Sequence, residues 1–332
     1  MDTAKKTAIL TFDYELFLGR KTGTLINSVV KPATIILNTL RRENAKAIFF
    51  VDAVWLLFLK KTAGTNLEII SVQLREIIRQ GSSVQLHIHP QWINAAWKDN
   101  ITYFETFRNY NLQSFSPEEI LDLFRKSIDL LEGITMKKIC CFRAGGHCIE
   151  PFSHVQQAFE TFNIRYDFSM APGIYLKTGH AYDYDFRGAP DLCFYRFQDN
   201  LRHPDPDGRF CEFPLSTYDN NPVYRFYNLC SLKLRHDKIP GDGEGIQKEL
   251  SLISRLVSKK LGFSRTFLTL DQVDPRLFKY ILRNCFGEKP LIVINSHPKT
   301  FSAYSVSNLS FVTENYNTAN SDDLDRLVSG NT

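Results

Sequence analysis

Val84–Trp92 reads VQLHIHPQW, an apolar run that closes on two histidines one residue apart and is stopped by a proline. Successive side chains of a strand point to opposite faces, so His87 and His89 project from the same face at the strand's end. Two imidazoles converging there suit a divalent metal ion, because H-x-H on a strand recurs in sites for zinc and similar ions. The other reading is a pair of hydrogen-bonded core histidines.

Working outward, the same pattern of a short apolar run with a polar end recurs. TAILTFDYE, AKAIFFVDA, SVQLHIHP, KICCFRAG, IRYDFSM, RTFLTLD and PLIVINSHP are expected strands. Helical patterns lie between them, the signature of parallel strands joined by crossover helices. Lys31-Pro32 opens one helix. SPEEILDLFRKSIDLLEGI opens another, with Ser116 as N-cap, Pro117 in the first turn, Glu119 at the capping-box position and Gly133 as the expected stop. GEGIQKELSLISRLVSKKLGF reads as a third. The class is therefore α/β, and seven strands fit a (β/α) barrel.

From about 171 to 240 the sequence turns Pro-, Gly-, Asp- and Tyr-rich, an expected insertion of hairpins on the substrate-facing rim. Its tyrosines with Asp183, Asp185 and Glu212 either line a saccharide groove or are plain structure. Residues 1–316 are expected to form one domain carrying this insertion, and the polar stretch 317–332 a frayed tail.

Composition limits the partners. With 332 residues and 43% hydrophobic content the chain can bury a large core, and a net charge of +4 spread over isolated basic pairs leaves no nucleic-acid footprint. Seven cysteines show no framework spacing, and MDTAKKTAILTF has no apolar signal segment before the first strand, so a reducing cytoplasm is the expected home. AIFFVDAVWLLFLKK stays apolar for about a dozen residues, short of the ~20 that span a bilayer, and is expected in the core.

Active sites of α/β barrels lie at the C-terminal ends of the strands. Asp13 and Glu15 end the first expected strand, His87 and His89 the third, Arg143 and a diglycine the fourth, Asp167 the fifth and His297 the last. Each has a plainer reading: Asp13 as a helix cap, His297 as a core histidine, Arg143 as the partner of a structural carboxylate, and Gly145-Gly146 as a turn.

Taken in order, five segments resemble the polysaccharide deacetylase family of carbohydrate esterases: TFDYE, GSSVQLHIHP, FRAGG, DFSMAPG and INSHP. The resemblance runs from about Thr7 to His297. It implies an irregular seven-stranded (β/α) barrel, with the β-rich and loop insertion on the substrate-facing side. It also implies a metal-dependent hydrolase that removes an N-acetyl or O-acetyl group from an amino sugar or saccharide intermediate. By the same resemblance Asp13 matches the catalytic base, His87 a metal ligand, Arg143 the arginine that orients the base, and His297 the general acid. The Gly146 backbone N–H would face the oxyanion, and Asp167 is a tuning or lining residue.

Two positions depart from the family. Tyr14 stands where it has a metal-binding aspartate, and Gln91 where it has a second histidine. Glu15 shares a strand face with Asp13, and His89 with His87, so Glu15, His87 and His89 are the expected ligand set. The ion is expected to be zinc, with cobalt, nickel or manganese as alternatives. The expected partner is a saccharide or small amide, with neither nucleic acid nor a membrane span. The rival readings are hydrolysis of a linear or cyclic non-sugar amide, as in allantoinase-like barrels, and an inactive glycan-binding barrel.

Overall fold

The computed structural model describes residues 5–98, 101–104, 109–177, 183–245 and 264–330. The chain divides into two compact units, Met1–Ile48 with Ser216–Thr332, and Phe49–Leu215. The expected helix GEGIQKELSLISRLVSKKLGF lies almost wholly outside the described residues.

In the first unit the strand Thr7–Tyr14 is buried almost throughout and pairs in parallel with Leu291–Ser296, from Thr7 opposite Leu291 to Phe12 opposite Ser296. Lys31–Arg42 forms the expected helix with proline in its first turn, burying Ile36, Leu37 and Leu40. The sixth expected strand is only partly parallel. Ser264–Phe267 pairs antiparallel with Thr217–Asn220, and just beyond it Thr269 makes a parallel bridge to Asn295. The tail is not frayed: Asn317–Ala319 adds a parallel strand to Thr7–Ile9, and the helix Leu324–Ser329 buries Leu324 and Val328. Those two aliphatic anchors, spaced four apart, outweigh the polarity of the residues around them.

In the second unit neighbouring strands run in the order Tyr195–Phe197, Phe210–Glu212, Tyr166–Asp167, Cys141–Ala144, Ser83–Ile88 and Ile48–Asp52. Pairing is parallel from Phe210–Glu212 through Ser83–Ile88 and antiparallel between Tyr195–Phe197 and Phe210–Glu212. The 171–240 segment thus supplies two strands of the sheet as well as the hairpin Tyr175–Lys177/Asp183–Asp185. Asp52 caps the helix Ala53–Thr62, which continues the apolar window into the core. No helix among the described residues is long and apolar enough to cross a membrane.

The Pro117–Thr135 helix has the expected capping box but runs past Gly133 and stops at Met136 in the left-handed region (φ 55°). Burial of Leu131 and Thr135 carries it one turn further than the glycine suggests. Its Phe124 meets Phe142 and Phe159, and Phe159 meets Phe152 and Phe210, with ring centroids 5.0 to 6.4 Å apart. Phe142 is fully buried in this cluster.

Asp167 and Glu212 stand opposite each other in the parallel ladder, both at 0% exposure. Ser169 N–H and Oγ–H donate to Asp167, and Met170 N–H donates to Glu212 Oε1. Glu212 Oε2 has no donor, which an ionised carboxylate at that depth would require. A proton on Glu212 resolves this, because its hydroxyl then donates to Asp167. Burial pushes both carboxyls upward, Glu212 the more strongly because the Asp167 charge adds to it. The expectation that Glu212 lines a groove fails on this burial.

Two tests follow from the packing. Phe142→Ala should cost about 3–5 kcal/mol of unfolding free energy in denaturant titration. For the acid pair, a raised carboxyl contributes stability that is full below the unfolded value of about 4.3 and is lost as pH climbs through the folded value. Glu212→Gln keeps a donor toward Asp167 but cannot ionise. Its denaturation midpoint should therefore fall less steeply than wild type as pH climbs above the unfolded carboxyl range; parallel curves would refute the shared proton.

Candidate metal and catalytic centre

In the first unit, Asp13 and Glu15 leave the end of Thr7–Tyr14 on one face, both about 4% exposed. Tyr14 points the other way and is fully buried, and burial holds its phenol protonated, so it offers no charged ligand. The adjacent strand ends on His297, whose Nε2 lies 3.5 Å from Asp13 Oδ2 and 3.9 Å from Glu15 Oε1. Asn295 Nδ2 reaches the same Asp13 oxygen at 3.5 Å. His297 keeps 26% of its side chain exposed, so its ring is reachable from solvent.

Asp271 organises this end of the unit. Its carboxylate accepts from Ser296 Oγ at 2.5 Å, His297 N at 3.1 Å and Thr300 Oγ1 at 2.8 Å. It also meets His297 Nδ1 at 2.9 Å. With the Nδ1 proton held by Asp271, Nε2 is the nitrogen that exchanges protons on the side of Asp13. Sequence reasoning did not single out Asp271, although it ends LTLD and obeys the strand-end rule that found the others.

Lys299 was also missed. Only 9% exposed, it pairs with Glu15 Oε1 at 2.5 Å, donates to Leu16 O at 3.0 Å and lies 5.4 Å from the centre of the Phe17 ring. Nothing in HPKT distinguishes a buried lysine from the common solvated one.

In the second unit, His87 and His89 are each 2% exposed and their rings meet edge to face at 4.6 Å. They do share a strand face. His87 Nδ1 lies 2.8 Å from Arg143 O, so Nδ1 carries the proton and Nε2 is the basic nitrogen, the tautomer of a metal-binding imidazole. His89 Nδ1 lies 3.4 Å from the Gln91 amide nitrogen, while Gln91 Oε1 is buried with no donor. With the amide turned over, Oε1 accepts from His89 Nδ1–H, and Nε2 is then the basic nitrogen here too. Gln91 thus orients an imidazole rather than replacing one. These tautomers fit a metal ligand pair.

Glycine at 145 is required by this arrangement, since a Cβ there would lie 2.4 Å from Ile88 O and 2.6 Å from His89 Nδ1. Gly146 adopts φ 58°, the left-handed region that favours glycine. Arg143 is wholly buried, with Nε donating to Phe168 O at 3.0 Å and its guanidinium 4.4 Å over the Phe50 ring. Asp167 acts on this loop through Ser169, whose Oγ accepts Ala144 N–H at 2.9 Å.

The 171–240 segment also helps line a cavity of about 510 Å³, with Asp199, Asn200, Leu201 and Arg202 facing Glu150–Ser153. Tyrosines are absent from its lining. Asp183 and Asp185 lie instead on the hairpin, where Asp185 holds Arg187 and is thereby kept down to about 2.

The sequence matches no protein-family model, and no curated protein is significantly similar to it. Among solved structures, a candidate polysaccharide deacetylase from Mycobacterium smegmatis superposes with a TM-score of 0.53 at 14% identity, covering 100% of this chain and 93% of its own. A peptidoglycan deacetylase from Bacillus subtilis gives 0.42 at 12% identity, covering 100% and 95%. A carbohydrate esterase family 4 pseudoenzyme from Bacillus anthracis gives 0.42 at 13%, covering 96% and 65%. The chain has the α/β fold of the first of these, the architecture that the five ordered segments imply.

Proposed function

We propose that the chain is a metal-dependent hydrolase that removes an acetyl group from the nitrogen, or an oxygen, of an amino sugar or saccharide intermediate. The observation that carries this reading is the line Asp271–His297–Asp13, a carboxylate holding one imidazole nitrogen while the other stands 3.5 Å from a second, buried carboxylate. A structural histidine needs only one such partner.

In this reading Glu15, His87 and His89 hold the divalent ion, zinc first by ligand chemistry. When bound, the ion supplies Lewis-acid polarisation of the acetyl carbonyl and acidifies the attacking water. Asp13 removes the water's proton. Gly146 N–H donates to the developing oxyanion, and its backbone costs no reorganisation at that moment. His297 Nε2 delivers a proton to the departing nitrogen and Asp271 stabilises the imidazolium meanwhile. Arg143 favours the ionised form of the base, and Asp167 positions the Arg143–Gly146 loop through Ser169. Lys299 offsets the charge of Glu15.

A glycan-binding barrel without chemistry is the second reading, favoured by Tyr14 and Gln91 at positions where the resembled family has ligands. Metal analysis of the purified protein separates the two. One ion per chain is expected, and Glu15→Ala or His87→Ala should each lower the bound metal at least about tenfold. A wild-type protein that takes up no divalent ion on dialysis would leave the binding reading. With the ion loaded, Asp13→Asn and His297→Ala should lower acetate release from acetylated amino sugars by about 10²–10⁴-fold without moving the melting temperature. Near-normal turnover in either removes that residue from the chemistry.

A further inference from the structure

The Pro222–Arg235 helix is built inside out. Its inward contacts are polar: Asn228 Nδ2 donates to Gln272 O at 2.9 Å, and its Oδ1 accepts Asp274 N–H at 2.8 Å. Ser231, the buried residue of the helix, donates to Asp274 Oδ2 at 2.5 Å and meets Tyr304 OH at 2.8 Å. Asp274 caps the next helix as well, so this attachment is firm.

The apolar side chains face the other way. Val223 is 72% exposed, Phe226 72%, Tyr227 42%, Leu229 58% and Leu234 79%. At 3.6 residues per turn these five fall within an arc of about 160°. Arg225 and Lys233 belong to the same helix, Lys233 is exposed, and no acidic residue occurs from Asn221 to His236, while Arg235 lies on the inward side within reach of Asp274.

An apolar stripe left in water needs an occupant, and the charge selects it. Protein-binding hot spots centre on Trp, Tyr and Arg seated in pockets, with rims of both signs. Here the aliphatic, phenyl and phenol groups share one face, no tryptophan is among them, and the helix's own charge is of one sign. That combination is the one by which a helix lies in a lipid headgroup layer, apolar side chains inserted and basic ones among anionic phosphates.

We propose that the Pro222–Arg235 helix docks this protein onto an anionic lipid bilayer surface. The proposal is independent of the hydrolase reading, because it is measured without substrate or metal turnover.

Co-sedimentation of the full chain with vesicles tests it, comparing phosphatidylcholine alone with equal parts phosphatidylcholine and phosphatidylglycerol. Binding is expected to the anionic vesicles and to weaken with added salt. The double variant Phe226→Glu/Leu234→Glu should lose at least about tenfold in vesicle affinity. Lys233→Gln should lose about fivefold on anionic vesicles. All three positions are exposed, so an unchanged circular dichroism spectrum and melting curve is expected and is measured alongside. Absence of vesicle binding by the intact chain overturns the proposal, as does binding that the double variant leaves intact. A dimer that the double variant dissociates, with no vesicle association, would overturn it in favour of self-association.

Discussion

Because Thr7–Tyr14 pairs in parallel with Leu291–Ser296, Phe12 opposite Ser296, the two strands of the first unit run out together and hand over to Asp13 and His297 side by side. The period of a strand is two, so a slip of one residue would turn Asp13 and Glu15 away and present Phe12 and Tyr14 instead. That register is fixed by burial: Ile9, Leu10 and Phe12 on one strand and Ile292, Val293 and Ile294 on the other are at most 1% exposed. The placement of an acid and an imidazole within 3.5 Å is thus a by-product of a hydrophobic ladder.

Burying ionisable groups at strand ends has a cost, and each here is met by a specific partner. Asp271 collects hydrogen bonds from Ser296, His297 and Thr300. Arg143 is held by a carbonyl and an aromatic face, and Asp167 by Ser169 and a protonated neighbour. These arrangements fix side chains that would otherwise sample several rotamers, which is the condition a reactive constellation needs.

Legibility in the sequence followed the strength of the local signal. Six of the seven expected runs were found as buried strands because apolar, β-branched segments with polar ends leave few alternatives. RTFLTLD was ambiguous because its partner, Thr217–Asn220, comes from irregular sequence that gives no register. The shared face of His87 and His89 was readable from the period of two, whereas the role of Gln91 beside His89 needed three-dimensional contact. Lys299 and Glu212 were hidden for a common reason: both are residue types that patterns assign to solvent, and their burial is decided by partners distant in sequence. The tail misled because two well-placed apolar residues suffice to dock a short helix.

The ammonium of Lys299 against Glu15 bears on how the protein matures. A carboxylate sealed beneath the surface ordinarily obliges a chain to capture a cation before it can close. Here the counter-charge is encoded two residues after His297, so the first unit can close over Glu15 with no cation from outside the chain. The burial of that carboxylate is thereby settled by the chain itself.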